Sequence, residues 1–125
     1  SLLASGALVV FLGVVTTGSG PHSGDAEAEA RFPLDPALAA RIHGTSVALL
    51  IVAVWFAYRQ LMLRNQSINS ILAVAALIAI QAVVGFIQYF TGLPAALVGI
   101  HVALAATLWA SINIAAAKML YPPNE

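Results

Sequence analysis

The sequence contains no cysteine, which excludes disulfides, iron–sulfur clusters and thiolate zinc sites. It has almost as little charge. Five Lys and Arg and five Asp and Glu make up 8% of 125 residues, against about 25% in a soluble domain. Ten charges do not cover the surface of a 12.9 kDa globule, so a soluble monomer is all but excluded. The charges cancel to a formal net of zero, and nothing supports nucleic-acid binding. The Gly-Lys-Ser/Thr signature of a phosphate loop is missing too. What the chain has is apolar surface: 61% of its residues are hydrophobic and its mean hydropathy is +0.94. The bilayer is the solvent that fits.

A spanning helix needs about 20 mostly apolar residues. Four runs qualify, over about 1–17, 36–63, 68–90 and 94–118. They are long, rich in Ala and Leu, and do not alternate with period two, which argues against a β-barrel. The expected fold is all-α: a single four-helix transmembrane domain over 1–125, running up-down-up-down as two helical hairpins. The first run lacks the basic region and small-residue cleavage site of a signal peptide, and reads as a membrane helix cut at its start. Local chemistry marks the breaks. Gly18-Ser19-Gly20-Pro21 disfavours further helix. Asp35-Pro36 supplies an N-cap and a first-turn proline. Arg64-Asn65-Gln66-Ser67 and Thr91-Gly92-Leu93-Pro94 are short turns, and Pro122-Pro123 closes the last helix.

Arg59, Arg64 and Lys118 lie at one end of the bundle, Arg31 and Arg41 at the other. Counting positive charge, three against two favours a cytoplasmic turn at Arg64 and an extracytoplasmic loop 18–37. That loop holds Asp25, Glu27 and Glu29, which read as a solvated acidic stretch, and the capping Asp35.

The chain repeats itself. Pro36-Ala37 is followed by Ile42-His43, and Pro94-Ala95 by Ile100-His101, both P-A-x-x-x-x-I-H, 58 positions apart. The preceding helix ends are also alike: GVVTTGSGP from Gly13 and GFIQYFTGLP from Gly85. Each histidine lies seven residues after its proline, roughly 10 Å along a helix. The second and fourth helices start on the same side and are diagonal neighbours in such a bundle. The two imidazoles are therefore expected at one depth, able to face each other.

An ionisable side chain within a membrane helix points to function. Two histidines on opposed helices suit one haem b, with His43 and His101 as the two axial iron ligands. A zinc site would need further ligands at this level, and a proton relay would need a carboxylate inside a helix. Gly44 and Gly99 would leave room for a flat macrocycle. The plainer reading of either histidine alone is a hydrogen-bonding helix contact.

Other residues carry two readings each. Arg41 either snorkels outward or pairs with a haem propionate; Arg31 is a weaker candidate for the same partner. Gln81 and Gln88 share one face of the third helix, either in interhelical hydrogen bonds or, for Gln88, at the haem edge. His22 reads first as a solvated loop histidine, second as a propionate contact or electron relay. Trp55, Tyr58, Trp109 and Tyr121 read as packing or interfacial anchors.

These motifs resemble the haem A synthase family. T-G-S-G-P-H-S-G-D from Thr17 looks like the extracytoplasmic loop of that family's second half. R-I-H-G at Arg41–Gly44 resembles its first haem-ligand motif, and Q-Y-F-T-G-L-P from Gln88 with His101-Val102 resembles its second. The likeness covers nearly the whole chain. It implies the haem b-binding, carboxy-terminal half of an eight-helix oxidoreductase that oxidises a methyl group of haem O to a formyl group. The partner implied is an amino-terminal, haem O-binding half or a second four-helix unit, a homo-oligomer included, in a bacterial cytoplasmic membrane. The chain departs from the full pattern. It has four helices, and Ala40 stands three positions before His43, where the substrate half has an acidic residue. Alone it is expected to be inactive. The rival expectations are a free-standing membrane cytochrome b-type electron carrier and a non-haem anchor or assembly subunit.

Overall fold

The computed structural model describes residues 1–20 and 33–121. His22, Asp25, Glu27, Glu29, Arg31 and the Pro122-Pro123 pair lie outside the described residues. All regular structure among the described residues is helical: α1 (Leu2–Ser19), α2 (Pro36–Leu63), α3 (Asn69–Phe90) and α4 (Ala95–Leu120). The expected spans agree to within two residues at each end, the usual uncertainty of a helix boundary. One difference has a clear cause. α1 runs on through Gly18 to Ser19, because the Ser19 hydroxyl donates back to the Val15 carbonyl at 2.8 Å. It stops only at Gly20, whose backbone is extended.

The helix ends that frame the turns are chemically specified. Asp35 caps α2 and accepts from the Leu38 amide at 2.8 Å, with Pro36 in the first turn. α2 closes on Asn65, at φ 54°, and the Gln66 amide donates to the Leu61 carbonyl at 3.0 Å. α3 closes the same way. Gly92 takes φ 81° and the Leu93 amide donates to the Gln88 carbonyl at 2.7 Å. Both are left-handed closures that satisfy a carbonyl the helix would otherwise orphan. Leu93 is itself left-handed, at φ 59°, a strain of about 1 kcal/mol for a residue with a Cβ. Pro94 then caps α4, one position earlier than a first-turn proline.

Each helix packs on its neighbour in the chain, and α1 closes the ring against α4. Contacts are richest within the hairpins α1–α2 and α3–α4 and sparser between them. Leu50, Ile71, Val74 and Ile112 are the large side chains fully enclosed. α1 and α4 meet closely at Gly6, where an added Cβ would come within 2.9 Å of Ile112 Cδ1. The molecule is nevertheless mostly outside. No more than 22% of any apolar window is buried within the protein, and Phe11, Val14, Val52, Val83, Phe86 and Ile114 are all exposed. Four helices long and apolar enough to cross a membrane, with outer faces as apolar as the inner ones, make this an all-α, four-helix membrane bundle.

The buried positions show the internal repeat more clearly than the letters do. Shifting α2 by 58 positions onto α4 lays Leu50 on Leu108, Val54 on Ile112 and Ala57 on Ala115, all buried. Shifting α1 by 72 positions onto α3 lays Leu2 on Val74, Gly6 on Ile78 and Val9 on Gln81, again all buried. The two shifts differ because the loop before Pro36 is longer than that before Pro94.

Ile112→Ala should therefore lower bundle stability by about 2 kcal/mol or more, read from unfolding in mixed micelles. Ile114→Ala, two residues on and lipid-facing, should change it by less than about 0.5 kcal/mol. Equal effects would show that the enclosed and lipid-facing sides have been confused.

Candidate functional site

His43 and His101 occupy matching places. Each is seven residues past the proline at the start of its helix, roughly 10 Å in at 1.5 Å per residue. Both helices run the same way, and both histidines are half-buried.

What holds each ring is a glycine on the preceding helix. A Cβ built on Gly13 of α1 would lie 3.3 Å from His43 Cε1 and 3.7 Å from Nδ1. A Cβ built on Gly85 of α3 would lie 3.2 Å from His101 Cε1 and 3.8 Å from Nδ1. These are the two glycines related by the 72-position shift. Each hairpin thus lays its imidazole flush on the backbone of its own first helix. Sequence reasoning placed Gly13 and Gly85 in the repeat but looked to Gly44 and Gly99 for space. Beyond its chain neighbours, a Cβ on either of those meets nothing within 4 Å, so both stand beside open space.

The polar groups around the rings differ between hairpins. Thr16 donates to Leu12 O at 2.8 Å and across to Ala39 O of α2 at 3.2 Å. Ser46 donates to the His43 carbonyl at 2.6 Å, and the Val9 carbonyl lies by the His43 ring. In the second hairpin the residue matching Val9 is Gln81. It is buried, and its Nε2 donates to the His101 carbonyl at 3.2 Å. Gln81 thus takes the interhelical role expected for a membrane glutamine.

Several atoms are left without partners. His43 Nδ1, His101 Nδ1, Gln81 Oε1 and Gln88 Oε1 are all buried and unbonded. Gln88 lies three residues beyond Gly85, on the same side of α3, and matches Thr16 in the repeat. An unpartnered buried polar group costs several kcal/mol in hydrocarbon, so four at one end of a bundle mark a place arranged for something besides packing.

The remaining expected residues are not drawn in. Arg41 precedes His43 by two residues, 200° around the helix, and is exposed, so it does not share the imidazole's face. Among the described residues no group of three or more His, Asp or Glu converges to hold a metal ion. Two surface grooves, of about 310 and 530 Å³, lie toward the opposite end, beside Tyr58 and Gln60 respectively. Neither includes an imidazole. Trp55 is exposed, with Arg59 Cζ 5.9 Å from its ring centroid, and Tyr121 is exposed at the foot of α4. Trp109 instead packs against the core.

Fold and site together define a four-helix membrane protein with a paired-histidine centre. No family model matches the chain, and no curated protein or solved structure matches it.

Replacing Gln81 by Ala removes the donor to the His101 carbonyl and should lower bundle stability by about 1 kcal/mol. The measurement is unfolding in mixed micelles. A variant as stable as wild type would mean that this hydrogen bond contributes nothing to joining α3 and α4.

Proposed function

We propose that this chain binds one haem b between His43 and His101, as an electron-carrying domain of a membrane oxidoreductase. The observation that carries the proposal is a pair of half-buried imidazoles, one from each hairpin, each with its Nδ1 buried and unpartnered, at matching places on diagonal helices. The donor set suits the group. Neutral imidazole is a strong ligand for haem iron, and two of them complete its axial positions. The Nδ1 hydrogen of an iron-ligating histidine is ordinarily held by a carbonyl or carboxylate; His43 Nδ1 and His101 Nδ1 are both buried without such a partner in the protein itself. A macrocycle held from α2 and α4 would sit between the hairpins, where the protein's own contacts are sparser.

When bound, haem would supply one-electron redox chemistry. The residues' work is to hold it and to keep water and competing ligands away. His43 and His101 would hold the haem iron between them, and with both donors engaged the group would supply electron transfer rather than a binding place for substrate. Gln88, half-buried with a free oxygen, is positioned for the haem edge; Arg41, facing away from His43, fits better as a snorkelling interfacial residue. His22 lies outside the described residues and stays a candidate for the propionate side.

The motifs around Thr17, Arg41 and Gln88 support a more specific reading: the cofactor half of a haem A synthase-like enzyme. In it, the substrate half, or a second four-helix unit, provides the site where haem O is oxidised. The absence of any carboxylate in a span, and Ala40 in place of an acidic residue, support a cofactor role for this half. The positive charges at Arg59, Arg64 and Lys118 favour that end inside, and the resemblance to haem A synthases implies a bacterial cytoplasmic membrane. A free-standing cytochrome b-type carrier is the second reading; both axial sites being filled favours it equally.

Purified protein given haem b should show a six-coordinate low-spin reduced-minus-oxidised spectrum. His43→Ala or His101→Ala should abolish it while the protein still inserts, since insertion depends on the apolar spans. A wild-type spectrum in either variant would overturn the ligand assignment. In cells making haem O, this chain alone should yield no haem A on extraction. Its appearance would identify a complete small enzyme.

Topology is tested separately. A cysteine placed at Thr91 should react with an impermeant thiol reagent in intact cells, and one at Ser67 should not. The reverse labelling would invert the orientation.

A further inference from the structure

Two of the glycines in this bundle do something that helix packing does not require. Glycine within a helix costs about 1 kcal/mol relative to alanine, and the usual return in a membrane is close approach of two backbones. Gly6 takes apolar packing side chains, Ile112 and Trp109, from α4. Gly13 and Gly85 do not. The three nearest atoms to a Cβ at either all belong to one imidazole ring. The two sites correspond in the internal repeat, and their nearest distances agree to 0.1 Å, 3.3 and 3.2 Å.

We propose that Gly13 and Gly85 are positioning residues: each seats one imidazole edge-on against the helix backbone and so sets the ring's tilt and depth for axial ligation. The role rests on the haem reading for its purpose but not for its geometry. With Cε1 against the helix, the ring cannot slide toward α1 or α3. A methyl group in the seat would sit inside ordinary contact distance, so the ring would have to yield by a few tenths of an ångström. An axial imidazole displaced by that amount binds haem less well and at a changed orientation. A penalty of about 1.4 kcal/mol in the bound state, within the range that overpacking costs, is a tenfold loss of affinity.

The experiment uses the full chain in lipid nanodiscs, with histidine nitrogens isotopically labelled. Three histidines are present, so the spectrum is assignable by substitution. Four variants are compared: Gly13→Ala, Gly85→Ala, Gly44→Ala as an open-space control, and Gly6→Ala as a packing control. Without haem, Gly13→Ala should move the His43 ring-nitrogen resonances and leave those of His101, and Gly85→Ala the reverse. Gly6→Ala should lower thermal stability and move neither. With haem b added, each seat variant should bind about tenfold more weakly, with an altered low-spin electron paramagnetic resonance signal. Gly44→Ala should stay within about twofold of wild type.

A seat variant that unfolds is resolved by a double substitution. In a His43→Ala background nothing remains for the Gly13→Ala methyl to strike, so its destabilisation should vanish. Persistence of that destabilisation, or unmoved ring resonances in both seat variants, would overturn the proposal. A wild-type protein that shows no low-spin spectrum, with the selective resonance shifts still present, would overturn the haem reading and leave the seats in place.

Discussion

A polar side chain within hydrocarbon has no water to fall back on, and that constraint organises this bundle. Most of its polar groups meet it in the cheapest way. The hydroxyls of Ser5, Thr16, Thr17, Ser19, Thr45, Thr91 and Thr107 each donate to a carbonyl one turn earlier in their own helix. Asn113 does the same through its amide nitrogen. Groups that find no partner are few, and four of them gather at the histidine end: both Nδ1 atoms, and the oxygens of Gln81 and Gln88. At several kcal/mol each, leaving them unpaired is a far larger penalty than the roughly 1 kcal/mol of a glycine within a helix. Both are concentrated where the imidazoles are. A fifth unpartnered oxygen, on Gln66, lies at the opposite end, and on the proposed reading the four at the histidine end serve the ligand rather than the packing.

The hairpin is the unit in which this is arranged. α1 carries the seat and α2 its histidine; α3 and α4 do likewise. Since contacts are richest within a hairpin, each ring is held chiefly by the unit that bears it. The distance between the two rings is then governed by how the hairpins meet, which is the sparser interface. A ligand bridging both histidines would join the two halves across it. The fully enclosed residues Leu50, Ile71, Val74 and Ile112 come from α2, α3 and α4, and most lie deeper along the bundle than the histidines. A hydrophobic clasp at one end thus leaves the other end free to be shaped by its ligand.

Much of this was readable from the letters. Asp35-Pro36 marked the start of α2 to the residue, and the seven-residue spacing from each proline placed the histidines at one level. The internal repeat was visible as a short motif and extends through the buried positions of all four helices. What could not be read was which way each helix faces. In water, an amphipathic stripe tells inside from outside. Here lipid is as apolar as the core, so Leu50 and Leu49 look alike in sequence, although one is enclosed and the other exposed. The seats were missed for a related reason. Gly44 and Gly99 are nearer His43 and His101 along the chain, but the rings lie against Gly13 and Gly85. The available signal was their shared place in the repeat, seven and nine residues before Gly20-Pro21 and Pro94.

The repeat is also broken, and where it breaks bears on the chemistry. Val9 and Gln81 occupy one position of the repeat, as do Thr16 and Gln88. Around His43 the neighbours are an apolar side chain, a backbone carbonyl and a hydroxyl already engaged with Ala39. Around His101 they are two amides, one of them bonded to the histidine's own carbonyl. Two rings seated alike therefore belong to hairpins whose polar residues differ at matching positions. On the proposed reading, the two axial ligands of one iron would not be equivalent: hydrogen bonding at Nδ1 raises the basicity of the ligating nitrogen, and here the partners on offer differ. A bundle built from two copies of one hairpin can keep the symmetry that places two imidazoles at one depth. It can then tune each one separately by changing the residues one turn either side of its glycine.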